Sequence, residues 1–286
     1  MSYTIRDLQG YGEMVALRQL QQAIWGLADP NIGLYPPLLT SAAKNGGIVL
    51  GAFAEDSGEM IGFLFSFLGR EPGGPFKVCS QTMGVRHDWR GQGVAEALKR
   101  TQRARTLAQD LPLITWTYDP LEAPNAHLNL HKLRAISRRY WRDVYGTNFG
   151  ALNQGLPTDR LVMEWWVKGE RLDQPPEIDW ELVEAAPAVF ETRGSGANLQ
   201  VIVANLNLVG PALRIEIPAD IHPVKAANLE LALDWRMKVR KAFESYFERG
   251  YVATNFVSTV DRSGNRRNQY VLQKLDPALR NSIGLE

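Results

Sequence analysis

Residues 85–100 read VRHDWRGQGVAEALKR, with Gly91 and Gly93 set directly before a run of helical character. The fold of the N-terminal half turns on whether Arg90 to Ala95 is a phosphate cradle or a tight turn. A nucleotide P-loop needs GxxxxGK followed by Ser or Thr, and a dinucleotide fingerprint needs a third glycine and a later acidic residue. Neither pattern is met, because Val94, Ala95 and Glu96 follow Gly93. What remains is Arg-x-x-Gly-x-Ala between a strand ending at Val85 and a helix starting near Val94. Small residues there leave backbone N–H groups uncovered at a helix N-terminus, which with the helix dipole suits a pyrophosphate.

Working outward, KVCSQTMGV before the turn reads as a strand. The run GIVLGAFAEDSGEMIGFLFSFLG before that reads as a hairpin, with AEDSGE supplying the turn. Upstream, YTIR reads as a short strand and the stretch to Trp25 as a helix, which ADPNIGLYPPL then breaks. After the turn, Ala97, Leu98, Thr101, Ala104, Leu107 and Ala108 form the apolar stripe of a helix over Ala95–Gln109. Its basic residues, Lys99 included, turn elsewhere. Pro112 ends it, LITWTY makes a strand, Asn125–Tyr140 a second helix, and RLVMEWWV a closing strand.

Residues 1–168 therefore form one domain, 169–196 a linker marked by ERLDQPPEIDW and TRGSGAN, and 197–286 a second α/β unit. In that unit ALRIEIP is a strand, Ala226–Arg249 a long helix, and YVATNFVSTV and NQYVLQKL two further strands. The composition is that of a folded globular chain, with 45% apolar and 22% charged residues. A net charge of +1 gives no field to draw nucleic acid or an anionic membrane, so neither is an expected partner. One cysteine, Cys79, excludes an intrachain disulfide framework and a cysteine metal cluster, and cytoplasmic residence is expected. His127 and His131 are spaced like a metal pair but lack the accompanying glutamate, so no metal is expected.

Val85 followed by Arg90-Gly-Gln-Gly-Val-Ala95, within this order of elements, resembles the acyl-CoA motif of the GNAT superfamily of N-acyltransferases. The words NLHKL, Tyr145-Gly146 and GLPTDRL look like a long-chain subgroup with a C-terminal extension. The resemblance implies an α+β fold, a mixed and mostly antiparallel sheet flanked by helices, with the C-terminal unit as a degenerate second half. It implies acetyl-CoA or another acyl-CoA as co-substrate, held by Met83, Gly84, Val85, Arg90, Gly91, Gln92, Gly93, Val94, Ala95, Asn125 and Asn129. It further implies transfer of an acetyl or succinyl-like group to a small-molecule amine or amino acid by direct attack in a ternary complex, with a homodimer as a further expectation. The tyrosine that many such enzymes use to protonate the leaving thiolate has no counterpart, since Leu130 or Lys132 stands there. Arg134 also occupies a position usually held by glycine. Tyr118, Tyr140 or Tyr145 are the substitutes as acid, and His127 heads Asp119, Glu122 and His131 as base. The rival reading is a non-catalytic acyl-CoA-binding sensor or regulator.

Overall fold

The computed structural model describes residues 2–27, 33–146 and 155–285. The chain forms two compact units: residues 1–116 with 166–168, and residues 117–165 with 169–286.

The first unit runs β1 (Tyr3–Asp7), α1 (Gly10–Trp25), α2 (Pro36–Lys44), β2 (Val49–Ala54), β3 (Met60–Arg70), β4 (Phe76–Val85), α3 (Val94–Ala108) and β5 (Leu113–Tyr118), whose last two residues belong to the second unit. The strands lie in the order β1–β2–β3–β4–β5; all neighbours are antiparallel except β4 and β5. Two glycines let helices close on opposite faces. A Cβ on Gly62 would meet Val94 and Leu98 of α3, whereas one on Gly84 would meet Ile24 and Trp25 of α1. The α1 side carries a core of Leu8, Met14, Leu17, Leu39, Val49, Phe63 and Phe65, each removed from water. The PPL expected to break the chain instead starts α2, because a proline at the first helical positions sacrifices no hydrogen bond. Residues 28–32 of that expected break lie outside the described residues.

The second unit runs α4 (Ala123–Ala126), a π-helical turn over His127–Lys132, β6 (Ile136–Trp141), β7 (Arg160–Trp166, its last residue in the first unit), α5 (Trp180–Ala185), β8 (Phe190–Arg193), β9 (Gln200–Ala204), β10 (Ala212–Ile217), α6 (Ile221–Ala227), α7 (Leu229–Glu248), β11 (Tyr251–Val260), β12 (Arg266–Lys274) and α8 (Pro277–Ile283). Its strands follow the order β7–β6–β11–β12–β10, all antiparallel, with β8 and β9 as a separate pair. The stretch 169–196, read as a linker, carries α5 and β8.

Two expected helices are corrected. The helix over Asn125–Tyr140 stops at Lys132, Arg134 takes a left-handed φ of 54°, and Ile136–Trp141 becomes a strand paired with β7. Arg134 holds that strained conformation by donating to the carbonyls of Arg171, Gln174 and Pro175. The helix over Ala226–Arg249 is two helices, because Asn228 leaves helical geometry at φ −155° and ψ 101°. Its side chain accepts from Leu231 N at 3.0 Å and caps α7. Along α7, Ala232, Trp235, Val239, Ala242, Phe243 and Tyr246 recur at helical spacing and are buried. No described helix is long and apolar enough to cross a membrane.

Replacing Asn228 with alanine removes the cap and is expected to lower stability by about 1 kcal/mol. The midpoint of urea denaturation reads that loss, and an unchanged midpoint would show the cap to be idle.

Candidate functional site

The site is built on β4. One edge pairs with β3 from Phe76 to Val85, interrupted by a bulge at Gln81, where Phe65↔Thr82 gives way to Ser66↔Ser80. The other edge pairs with β5 only at Val78↔Ile114 and Cys79↔Thr115. Beyond Cys79 the two parallel strands part, so Met83, Gly84 and Val85 lie on a length of β4 that has no strand on that side among the described residues.

The turn after β4 is fastened by residues other than Arg90. Arg86 pairs with Asp88 at 2.7 Å and Glu59 at 2.9 Å, and Trp89 is buried edge-on to Tyr3. The Gln92 amide donates to Asp88 O at 2.9 Å. Arg90 is exposed, with only a long contact of 3.4 Å from Nε to Val85 O. Gly91 and Gly93 take φ of 75° and 83°, a region costly for residues with a Cβ. Space is not the reason for glycine here. A Cβ at Gly91 would meet nothing within 4 Å, and one at Gly93 only the Tyr3 hydroxyl at 3.5 Å. The left-handed φ, rather than close approach, is what calls for glycine at both positions.

The first bond of α3 runs from Ala97 N to Gly93 O, and Gly93 offers no side-chain cap. The N–H groups of Gly91, Gln92, Gly93, Val94 and Ala95 meet no acceptor among the described residues. Open donors at the positive end of a 15-residue helix are an arrangement suited to an anion.

The buried face of α3 differs from the expected stripe. Ala104, Leu107 and Ala108 are exposed, and the covered positions are Val94, Leu98, Lys99, Gln102 and Thr106. Lys99, expected to turn away from the buried stripe, is 3% exposed. Its ammonium nitrogen lies 3.2 Å from Ser80 Oγ, 2.9 Å from Gln102 Oε1 and 3.6 Å from the centre of the Trp116 ring. Burial alone pushes this amine well below its ordinary value. Sequence reasoning missed the cluster; the signal available was the polar set Lys99, Gln102 and Thr106 at helical spacing, a pattern that apolar counting passes over.

The remaining candidates lie in the second unit. Tyr118 is buried, its hydroxyl hydrogen-bonded to that of Tyr270, which donates to Pro120 O. Burial raises both phenols, so Tyr118 holds its proton firmly. The Tyr140 hydroxyl donates to Asp159 at 2.7 Å. Asp119 accepts from Arg236. Burial and the Asp119 charge push the Glu122 carboxyl up against the pull of His222, whose Nε2 is 3.1 Å away. The rings of His127 and His131 stack at 4.9 Å, and His131 Nδ1 lies 3.3 Å from Asn255 Oδ1. Asn125 is exposed in α4, and Asn129 is buried in the π-helical turn.

Neither a protein-family model nor a curated protein sequence matches the chain. Among solved structures it is similar to yncA from Salmonella typhimurium with its cofactor acetyl-CoA, at 15% identity and a TM-score of 0.48 over 59% of this chain and 95% of that one. It is similar also to an N-acetyltransferase from Staphylococcus aureus Mu50, at 14% identity and a TM-score of 0.47 over 59% of this chain and 100% of that one. A third is Arabidopsis thaliana NAA60 in complex with acetyl-CoA, at 15% identity and a TM-score of 0.47 over the same two shares.

The Lys99 environment has a consequence in pH. An amine whose value is lowered in the fold binds fewer protons there than in the unfolded chain, so stability rises with pH between that lowered value and the unfolded lysine value of about 10.4. Wild-type stability is therefore expected to rise relative to Lys99→Met between pH 7 and pH 10, by at most about 1.4 kcal/mol per pH unit. Parallel urea titrations of the two proteins across that window check it; curves that stay a constant distance apart would mean Lys99 is charged in the fold.

Proposed function

We propose that the chain is an acyl-CoA-dependent N-acyltransferase. It moves an acetyl or succinyl-like group to the amine of a small molecule or amino acid, by direct attack while both substrates are bound. One observation carries the reading: the loose edge of β4 and the open donors of Gly91 to Ala95 follow one another on a single strand–turn–helix segment. An acyl-CoA presents the complementary groups in the same order. Its pyrophosphate suits the donors at the start of α3. Its amide-bearing pantetheine arm suits a strand edge with unused N–H and C=O groups, where it takes the hydrogen bonds a neighbouring strand would make. A β4 N–H beyond the bulge then polarises the thioester carbonyl as negative charge develops on its oxygen.

The attacking amine must be neutral, which calls for a base with a pKa near neutrality. Of the candidate groups, Glu122 has its carboxyl raised in that direction. Tyr118, bound to Tyr270 and shifted away from neutrality, is poorly suited to protonating a thiolate. The immobilised Tyr118 also keeps a second reading in view, a protein that binds acyl-CoA as a signal without turning it over.

Thermal denaturation with CoA, acetyl-CoA and succinyl-CoA tests the reading, since a ligand at 100 times its Kd stabilises by about 2.7 kcal/mol. Gly93→Glu places a carboxylate beside the open donors and is expected to abolish the shift while leaving the circular dichroism spectrum native. A shift of wild-type size in the folded mutant would remove Arg90–Ala95 from the site. Release of free thiol on adding an amine identifies the enzyme; tight CoA binding without release across a broad amine panel identifies the sensor.

A further inference from the structure

The cluster under α3 has a surplus of donors. Lys99 contributes three N–H bonds when protonated, Gln102 two and Ser80 one. The acceptors available inside the cluster are Ser80 Oγ and Gln102 Oε1, both already engaged by Lys99. Gln102 is fully buried, and its Nε2 has no partner. No carboxylate pairs with Lys99 among the described residues, and desolvation is the one influence acting on its titration. The contrast with Lys77 is direct: that lysine, also largely buried, pairs with Glu71. A buried cation-capable amine beside an orphaned amide N–H, with no anion supplied by the protein, is an arrangement that an incoming anion completes.

The position of the cluster says which anion. Ser80 follows Cys79, the last β4 residue paired with β5, and Trp116 follows Thr115, its counterpart on β5. Lys99 Nζ contacts both of these residues, so it sits at the closed end of the gap where the strands part. On the acyl-CoA reading above, on which this inference rests, the pantetheine arm runs along the loose edge of β4 toward that closed end and brings the acyl chain to it.

We infer that Ser80, Lys99 and Gln102 form a carboxylate subsite, and that the preferred co-substrate is an acyl-CoA whose acyl chain ends in a carboxylate. The carboxylate accepts from Lys99 Nζ and Gln102 Nε2, and its charge favours the protonated amine that the unliganded cluster disfavours. In a site closed to water such charge-assisted bonds discriminate strongly between a carboxylate and a methyl group.

Isothermal titration of the full chain with CoA, succinyl-CoA and butyryl-CoA decides the matter, butyryl-CoA carrying a methyl where succinyl-CoA has its carboxylate. Wild type is expected to bind succinyl-CoA at least tenfold more tightly than butyryl-CoA. Lys99→Met should bring the two within about twofold by weakening succinyl-CoA alone, and Lys99→Arg should restore part of the preference. Equal binding of the two by wild type, or a preference for butyryl-CoA, overturns the inference while CoA binding keeps the acyl-CoA reading intact. A preference that survives in Lys99→Met overturns the assignment to this cluster. If Lys99→Met does not fold, Gln102→Leu replaces it with the same expected narrowing and the same overturning result. Failure of wild type to bind CoA or any of its thioesters overturns the acyl-CoA reading and this inference together.

Discussion

The early end of the β4–β5 ladder is the constraint on which the first unit's chemistry depends. Parallel strands ordinarily pair along their common length, because an unpaired backbone group away from water is costly. Here the pairing stops at Cys79↔Thr115, yet β4 continues to Val85 and the glycine turn. It can do so because β3 takes its other edge to the end, at Gly62↔Val85, and because helices grip both faces. Gly62 and Gly84 matter for that grip: without side chains they let α3 and α1 approach the sheet. The strand is thus held by one neighbour and two helices, and its second edge is left for something else.

Much of this was legible in the sequence. The alternating and β-rich runs gave β2, β3 and β4 in order, and the two glycines before a helical run gave the strand–turn–helix. The failures share a physical cause. The apolar stripe assigned to α3 included Ala104 and Leu107, which face water, and omitted Lys99 and Gln102, which do not. Hydrophobic periodicity finds a buried face only when that face is apolar, and a buried polar cluster inverts the signal. The expected helix over Asn125–Tyr140 failed for another reason. Ile136 to Trp141 pairs with β7 through contacts distant in sequence, which override a helical spacing of leucines. Of the candidate site, the glycine turn before α3 could be read from residue types alone. The gap between β4 and β5 could not be read from the two strands, which look equally complete in sequence; the family resemblance alone implied that Met83, Gly84 and Val85 splay away from LITWTY.

The second unit shows how a fold accommodates charge in its interior. Asp159 is fully buried and accepts from Arg240 through both carboxylate oxygens, from Tyr140 and from the Asp143 N–H. Burial alone would raise its carboxyl, but these donors together hold it below its ordinary value. Arg236 pairs with Asp119 through one nitrogen, while its Nε and Nη1 remain without a hydrogen-bond partner. Such a network is costly to half-complete, and it ties α7 to the segments at Asp119 and Asp159 by directional bonds as well as by packing. The aromatic contacts of Phe243 with Tyr140 and Tyr270 reinforce the same attachment.

The loose edge of β4 also has a meaning in the life of the protein in solution. A strand with unused N–H and C=O groups is a template onto which a strand of another chain can be added. Two features already described limit that hazard: the bulge at Gln81 bends the edge, and the length beyond Cys79 is short. A ligand lying along β4, as the proposed function has it, would occupy the same groups and remove the template. On the proposed acyl-CoA reading, occupancy of β4 would thus guard against strand addition as well as serve catalysis.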